Sequence, residues 1–310
     1  MKPFLLTVSV LAANGFGPER IQDAPRTRSS APRLRIDAIA SNRDGSPVDD
    51  LRRDDLEVWI NHYRVPIESI TMATRDMERN GRLTVLVLDN ITTAPTLAPR
   101  VREVASQFVR RMGPGDEMSI VALDGDFMKS TDDRAQLLKS IDAYSGFQVG
   151  VMPFDRLGEH VLTTVAALSR QLAESPGRKT IVCIGSGWLF DTPIAPPTIG
   201  RDLRPEWVDA MRAIAFANAT LYVIDPGGVG SSFFAGSGSS GFARETGGFA
   251  FLNTNNVSGA VDRIMQETAS YYVIEVPDPP VGRKADLREL ELRVLRRGVT
   301  ARARRWLPGK

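Results

Sequence analysis

The chain is short of the side chains from which most catalytic and metal sites are made. Its single cysteine, Cys183, sits in the apolar run Ile181-Val182-Cys183-Ile184, which excludes an internal disulfide and reads as a small buried thiol. The two histidines, His62 and His160, are far apart with no cysteine or second histidine beside them, leaving little for a zinc site or a histidine-based triad. Charge of one sign is also lacking. Lys and Arg number 39 against 37 for Asp and Glu, and a net charge of +2 selects no particular partner and gives no reason to expect a nucleic acid. The arginines from Arg288 to Arg305 alternate with apolar residues, the pattern of an exposed strand face that guards an edge against aggregation.

Near the amino terminus, Phe4 to Ala13 forms an apolar run that follows Lys2. It has about the length of a signal-peptide h-region and is too short to span a bilayer. Residues 1–13 are therefore expected to be an export signal, and the polar Arg-, Ser- and Pro-rich stretch 14–32 a flexible leader. A periplasmic or secreted protein with no membrane span after signal removal is the expectation.

What the chain does hold is organised around Arg82 to Thr93, RLTVLVLDNITT. The continuous apolar run Leu83 to Leu88 ends abruptly at Asp89, and Asn90, Thr92 and Thr93 follow at once. An unbroken apolar strand implies helices on both faces and hence a parallel sheet, and ligand sites in such sheets lie at the carboxyl ends of the strands, where Asp89 is. The pattern of strand followed by helix then repeats. Val101, Val104, Ala105, Phe108 and Val109 mark one face of a helix for which Thr96 is a plausible N-cap. Met118 to Leu123, Thr180 to Ile184 and Thr220 to Ile224 are further buried strands. At both ends of the chain the period falls to two: Leu34, Ile36, Ala38 and Ala40 at one, Leu290, Leu292 and Val294 at the other. The fold class expected is α/β, a doubly wound mostly parallel sheet over 79–269. A smaller all-β domain is built from both chain ends, 33–78 and 270–308, which are best paired with each other because a lone hairpin is marginal.

Other motifs carry little chemistry. Gly236-Ser237-Gly238-Ser239-Ser240-Gly241 fits G-x-G-x-x-G, yet a dinucleotide fingerprint begins where a strand ends, and the strand before it ends at Ile224; the stretch reads as a flexible loop from Gly227 to Gly241, with a nucleotide-binding enzyme as the rival use. Gly185-Ser186-Gly187 lacks the outer glycine spacing of a nucleophile elbow, and no histidine is placed to activate Ser186.

The stretches DGSPVDDLRRDDLEVW (44–59), GPGDEMSIVAL (113–123), SPGRKTIVCI (175–184), ATLYVIDP (219–226), ARETGGFAF (243–251) and SYYVIEVPDPP (270–280), with TARARRWL (300–307), occur in one order and spacing. Together they resemble the von Willebrand factor A-related proteins of acidobacterial type, secreted chains with an A-type domain between β segments. The wider family holds a divalent cation with Asp-x-Ser-x-Ser after the first strand, a Thr in a later loop and an Asp after the fourth strand. Carried onto this chain, Asp89 and Thr93 match, whereas Ile91 takes the first Ser position, the loop Thr falls near Gly158, and Ser186 replaces the later Asp. Mg²⁺ requires hard oxygen ligands in near-octahedral geometry, so the resemblance implies a degenerate adhesion site without metal. The alternative is Mg²⁺ held in a modified site by Asp89, Thr93 and Ser186, helped by Asp155 or waters.

If metal-free, a buried Asp89 needs other partners, and the backbone N–H groups at the start of the next helix together with the Thr92 or Thr93 hydroxyls would supply them, making Asp89 a helix cap instead of a ligand. The function expected is non-enzymatic: adhesion to, or interaction with, an unidentified protein partner. Its surface is the rim of Asp89 to Thr96, Phe147 to Gly158 and Gly185 to Asp191, with Asp89, Thr92, Thr93, Phe147, Phe154 and Ser186 as site residues. Phe147 and Phe154 lie in a segment with little charge that, if exposed, would form an apolar patch with aromatic anchors.

Overall fold

The computed structural model describes residues 33–74, 82–123, 125, 129–146, 154–186, 202–230, 236–280 and 285–309. The expected signal and leader, residues 1–32, lie outside them. So do Phe147, the side chains of Phe154 and Asp155, and residues 187–191 of the expected rim.

Eight of the strands build two antiparallel four-stranded sheets that draw on both chain ends. In one, β1 (Arg33–Asn42) lies between β12 (Val299–Ala303) and β10 (Ser270–Pro277), and β4 (Ser69–Thr74) adds on outside β10. In the other, β2 (Leu56–Ile60) lies between β3 (Tyr63–Val65) and β11 (Leu287–Val294), and β13 (Trp306–Pro308) follows β11. The registers join the two ends directly, Ile36 opposite Ile274 and Val58 opposite Leu292. Alternation explains the arrangement: Ile36, Ala38, Val58, Ile60, Ile274 and Leu290 turn to one side of their strands and form a shared core. The β2–β3 hairpin turns through Asn61 and His62, both at positive φ, as a two-residue turn between twisted strands requires.

The rest is a parallel sheet in the order β6-β5-β7-β8-β9. It comprises β5 (Leu83–Leu88), β6 (Glu117–Ala122), β7 (Lys179–Ile184), β8 (Ala219–Ile224) and β9 (Ala250–Phe251). Val85 and Val87 of β5 face one way, into a core shared with α3 (Phe154–Leu172), α4 (Arg204–Ala217) and α5 (Gly236–Glu245). Leu86 and Leu88 face the other way, against α1 (Ala98–Arg110), α2 (Arg134–Asp142) and α6 (Val257–Ala269). Helices on both faces are what make β5 apolar without a break, so the doubly wound α/β class with a smaller all-β part is the fold observed.

Two local expectations are corrected. The segment read as a loop up to Gly241 is helical from Gly236, because Gly238, Ser239, Gly241, Phe242 and Ala243 are all buried where α5 lies on β8. Small residues permit that close approach, and packing outweighs a glycine's helical cost of about 1 kcal/mol. Thr96 does not cap α1. It lies in a 3-10 turn, Pro95–Leu97, and the cap position is Leu97, with Pro99 in the first helical turn.

The β part is locked to the helices at α4 and α5. Trp306 meets Trp207 edge-on at 5.7 Å, and its indole N–H donates to Glu245 Oε2 at 2.6 Å. Arg304 donates to the carbonyl of Ala215 at 2.7 Å, and Asn218 Nδ2 reaches Asp37 Oδ2 at 2.8 Å.

Candidate functional site: the sheet's carboxyl edge at Asp89

From β5 the chain crosses to β6 on one side and later returns to β7 on the other. The strand order therefore reverses between β5 and β7, and the two helical connections leave on opposite faces. Such a switch point opens a crevice at the carboxyl ends of the strands. Asp89 follows β5 there, and Gly185-Ser186 follows β7.

Asp89 is 1% exposed. Its backbone N–H continues the ladder, donating to the Ile184 carbonyl at 3.0 Å. Its side chain is engaged by the turn that follows: Oδ1 accepts from the backbone N–H of Ile91 at 3.0 Å and of Thr92 at 2.8 Å, and Oδ2 accepts from the Thr92 hydroxyl. This is an Asx turn, with the carboxylate tying down the loop ahead of α1 instead of capping the helix itself. Burial raises the Asp89 pKa above the usual carboxylate value, and the hydrogen bonds from Thr92 and Ile91 oppose that shift.

Thr93 is fully buried and takes a different partner. Its hydroxyl accepts from the backbone N–H of Ser186 at 3.0 Å, stitching the β5 loop to the β7 loop. The structure thus brings Asp89, Thr92, Thr93 and Ser186 together, with Ser186 taking part through its backbone.

Two further contributors are Tyr144, which the sequence did not point to, and Gly185, which belonged to the expected rim but not to its site residues. Tyr144, after α2, donates its hydroxyl to the Asp89 carbonyl at 2.6 Å; burial first and the Asp89 charge second push the phenol up to about 12. Gly185 lies directly against the Asp89 side chain. The signals available were a tyrosine just ahead of the Ser145-Gly146 break and a glycine at a strand's end. Cys183 is buried beneath, its thiol pushed well up by burial and then by Asp89, which leaves it unreactive.

Among the described residues, the motif positions offer fewer free oxygens than Mg²⁺ requires. Ile91, at the first hydroxyl position of the motif, is buried in the core beneath the sheet, Gly158 lies inside α3, and both Asp89 oxygens already accept hydrogen bonds from the chain. Among the described residues no three His, Cys, Asp or Glu side chains cluster as metal ligands would.

No protein-family model matches the chain, and no curated protein matches it in sequence. Among solved structures, an aerotolerance-related membrane protein from Bacteroides fragilis carrying multiple mutations to serines aligns with a TM-score of 0.39 and 15% identity, over 60% of this chain and 98% of that one. A likeness so slight has no bearing on function. Within this chain, no helix among the described residues is long and apolar enough to cross a membrane.

Proposed function

We propose that the chain is a non-enzymatic, extracytoplasmic protein-binding module of the von Willebrand factor A type, engaging a partner protein through the rim around Asp89 without a metal ion. The observation that carries this reading is the engagement of both Asp89 oxygens by the following turn. Both of its oxygens accept from Ile91 and Thr92, three hydrogen bonds in all, which supports a role in fixing the loop's shape over one in holding a cation or moving a proton. A rigid sheet then presents exposed Pro95 and Thr96 beside half-buried Asn90, Thr92 and Ser186, the setting in which loops serve recognition. The sequence from Phe147 to Phe154 is proposed to add apolar anchors to this rim.

The test is affinity capture from the extracytoplasmic fraction with the wild-type chain, a rim variant Thr96→Arg and a control, Leu295→Arg, on an exposed position of the β part. The expected result is one partner held by the wild type and the control, with or without chelator, and lost on Thr96→Arg. Loss on adding chelator overturns the metal-independent reading, and retention by Thr96→Arg overturns the rim.

A further inference from the structure

On the same end of the sheet, beyond β8, a pocket of about 160 Å³ opens between the start of α1 and the loop ahead of α6, lined by Arg100, Glu103, Val104, Pro226, Asn255 and Val257 among others. Arg100 is held in place from one side. Its Nη1 donates to the carbonyls of Pro226 at 3.1 Å and Gly227 at 3.2 Å. A guanidinium has five donors in a planar fork, and the Nε–Nη2 edge of this one has no partner among the described residues. That edge is suited to gripping a carboxylate through two parallel hydrogen bonds.

The loop around it is shaped to this purpose. Gly228 has φ +82°, and a Cβ there would run into Asn255 Oδ1 and lie 3.2 Å from Arg100 Nη1. Asn255 Oδ1 accepts from the backbone N–H of Val229 at 3.3 Å, which leaves its Nδ2 as the end free to donate. One turn along α1, Glu103 has Oε1 engaged by Gln107 at 3.1 Å and Arg110 at 2.9 Å, while Oε2 has no partner among the described residues. Side chains three apart on a helix are neighbours, with Cβ atoms about 5–6 Å apart. The lining of the pocket therefore includes a guanidinium and, one turn along α1, a carboxylate, with Val104, Pro226 and Val257 supplying an apolar wall.

We propose that this pocket binds a small aliphatic α-amino acid as its zwitterion, the carboxylate on Arg100 and Asn255, the ammonium on Glu103 and the side chain against the valines. The size agrees: a cavity of about 150 Å³ holds benzene, so this one has room for a molecule of the size of valine. The inference goes beyond the partner-binding reading and does not depend on it.

The test is calorimetric titration and a thermal scan of the full chain with valine, N-acetylvaline, which lacks the cation, and valinamide, which lacks the carboxylate. Valine is expected to bind and raise the melting temperature saturably, with both blocked analogues at least about tenfold weaker. Arg100→Gln should abolish valine binding. Because that change also releases two loop carbonyls, Glu103→Gln is the second variant: it should keep the melting temperature of the free protein and lose the preference for valine over N-acetylvaline. No response to millimolar valine overturns the proposal, as do equal affinity for N-acetylvaline or unaltered binding in both variants. Tighter binding of N-acetylvaline or valinamide than of valine would point to a peptide terminus instead and equally overturn it.

Discussion

Gly185 lies against the side chain of Asp89: a Cβ placed on it would run into the Asp89 Cβ and lie 2.7 Å from Oδ2 and 2.9 Å from Cγ. The two residues end neighbouring strands, tied by hydrogen bonds from the Asp89 N–H to Ile184 and from the Gly185 N–H to Ile224, so neither backbone can retreat. Gly185→Ala is therefore expected to cost about 1–3 kcal/mol, the range for overpacking a well-filled site. Urea unfolding reads this. In an Asp89→Gly background, which removes the clashing side chain with its Cβ, the same change should cost less, since neighbours that compete for one space are not additive.

The Asp89 carboxyl also sets a pH dependence. Its folded pKa is raised above 3.8 by burial, so the folded chain keeps the proton to higher pH than the unfolded chain does. The stability this group contributes is then full below the unfolded value and is lost as pH rises through the raised one. Asp89→Asn cannot ionise and retains an acceptor for the Ile91 and Thr92 N–H groups, so it is expected to be no less stable than the wild type at neutral pH. It should also remove that fall. Asp89→Ala leaves those N–H groups and the Thr92 hydroxyl without an acceptor and should lose about 1–3 kcal/mol. Urea midpoints across an acid-to-neutral series separate the three proteins, and an Asp89→Asn midpoint well below the wild type at neutral pH would refute the argument.

The site's centre was legible because a buried strand that stops at a carboxylate is a local pattern: Leu83 to Leu88 and Asp89 stand together in the sequence. The pairing of the two chain ends was legible for the same kind of reason, since Ile36 and Leu290 belong to runs whose period alone requires a sheet. Tyr144 and Gly185 were not legible as site residues, because their importance arises only when the α2 end and the β7 end fold back on Asp89. The glycine run at Gly236 misled for a physical reason. Helix propensity is weak beside tertiary packing, and the burial of Ser239 and Phe242 that holds α5 in place is invisible in the residues themselves. Arg100 went unnoticed on an exposed helix face because the carbonyls that orient it come from a loop more than a hundred residues away.

Millimolar Mg²⁺ or Mn²⁺ is expected to leave the melting temperature unchanged. A cation bound at a hundredfold excess over its Kd would stabilise by about 2.7 kcal/mol, which a thermal scan detects readily. Ile91 and the occupied Asp89 oxygens oppose such binding. A rise that disappears in Asp89→Ala would show that the turn rearranges to admit a metal.

Deletion after Arg297 removes β12 and β13, hence the partners of β1 and β11 and the contacts of Trp306 and Arg304 with the helices. The β core should then be exposed on one side, and the loss should reach the parallel sheet, because Trp306 packs on α4 and its N–H satisfies Glu245 of α5. Cys183 reports on that second effect without a label of its own. It is 2% exposed near the carboxyl end of β7, the central strand of the parallel sheet, so in the intact chain a thiol reagent reacts only when the sheet opens. Faster labelling is expected in the truncated chain, and in Trp306→Ala alongside a loss of about 3 kcal/mol. Equal labelling rates in all three proteins would mean that the β part and the parallel sheet open independently, and that the Trp207–Trp306 contact carries no coupling between them.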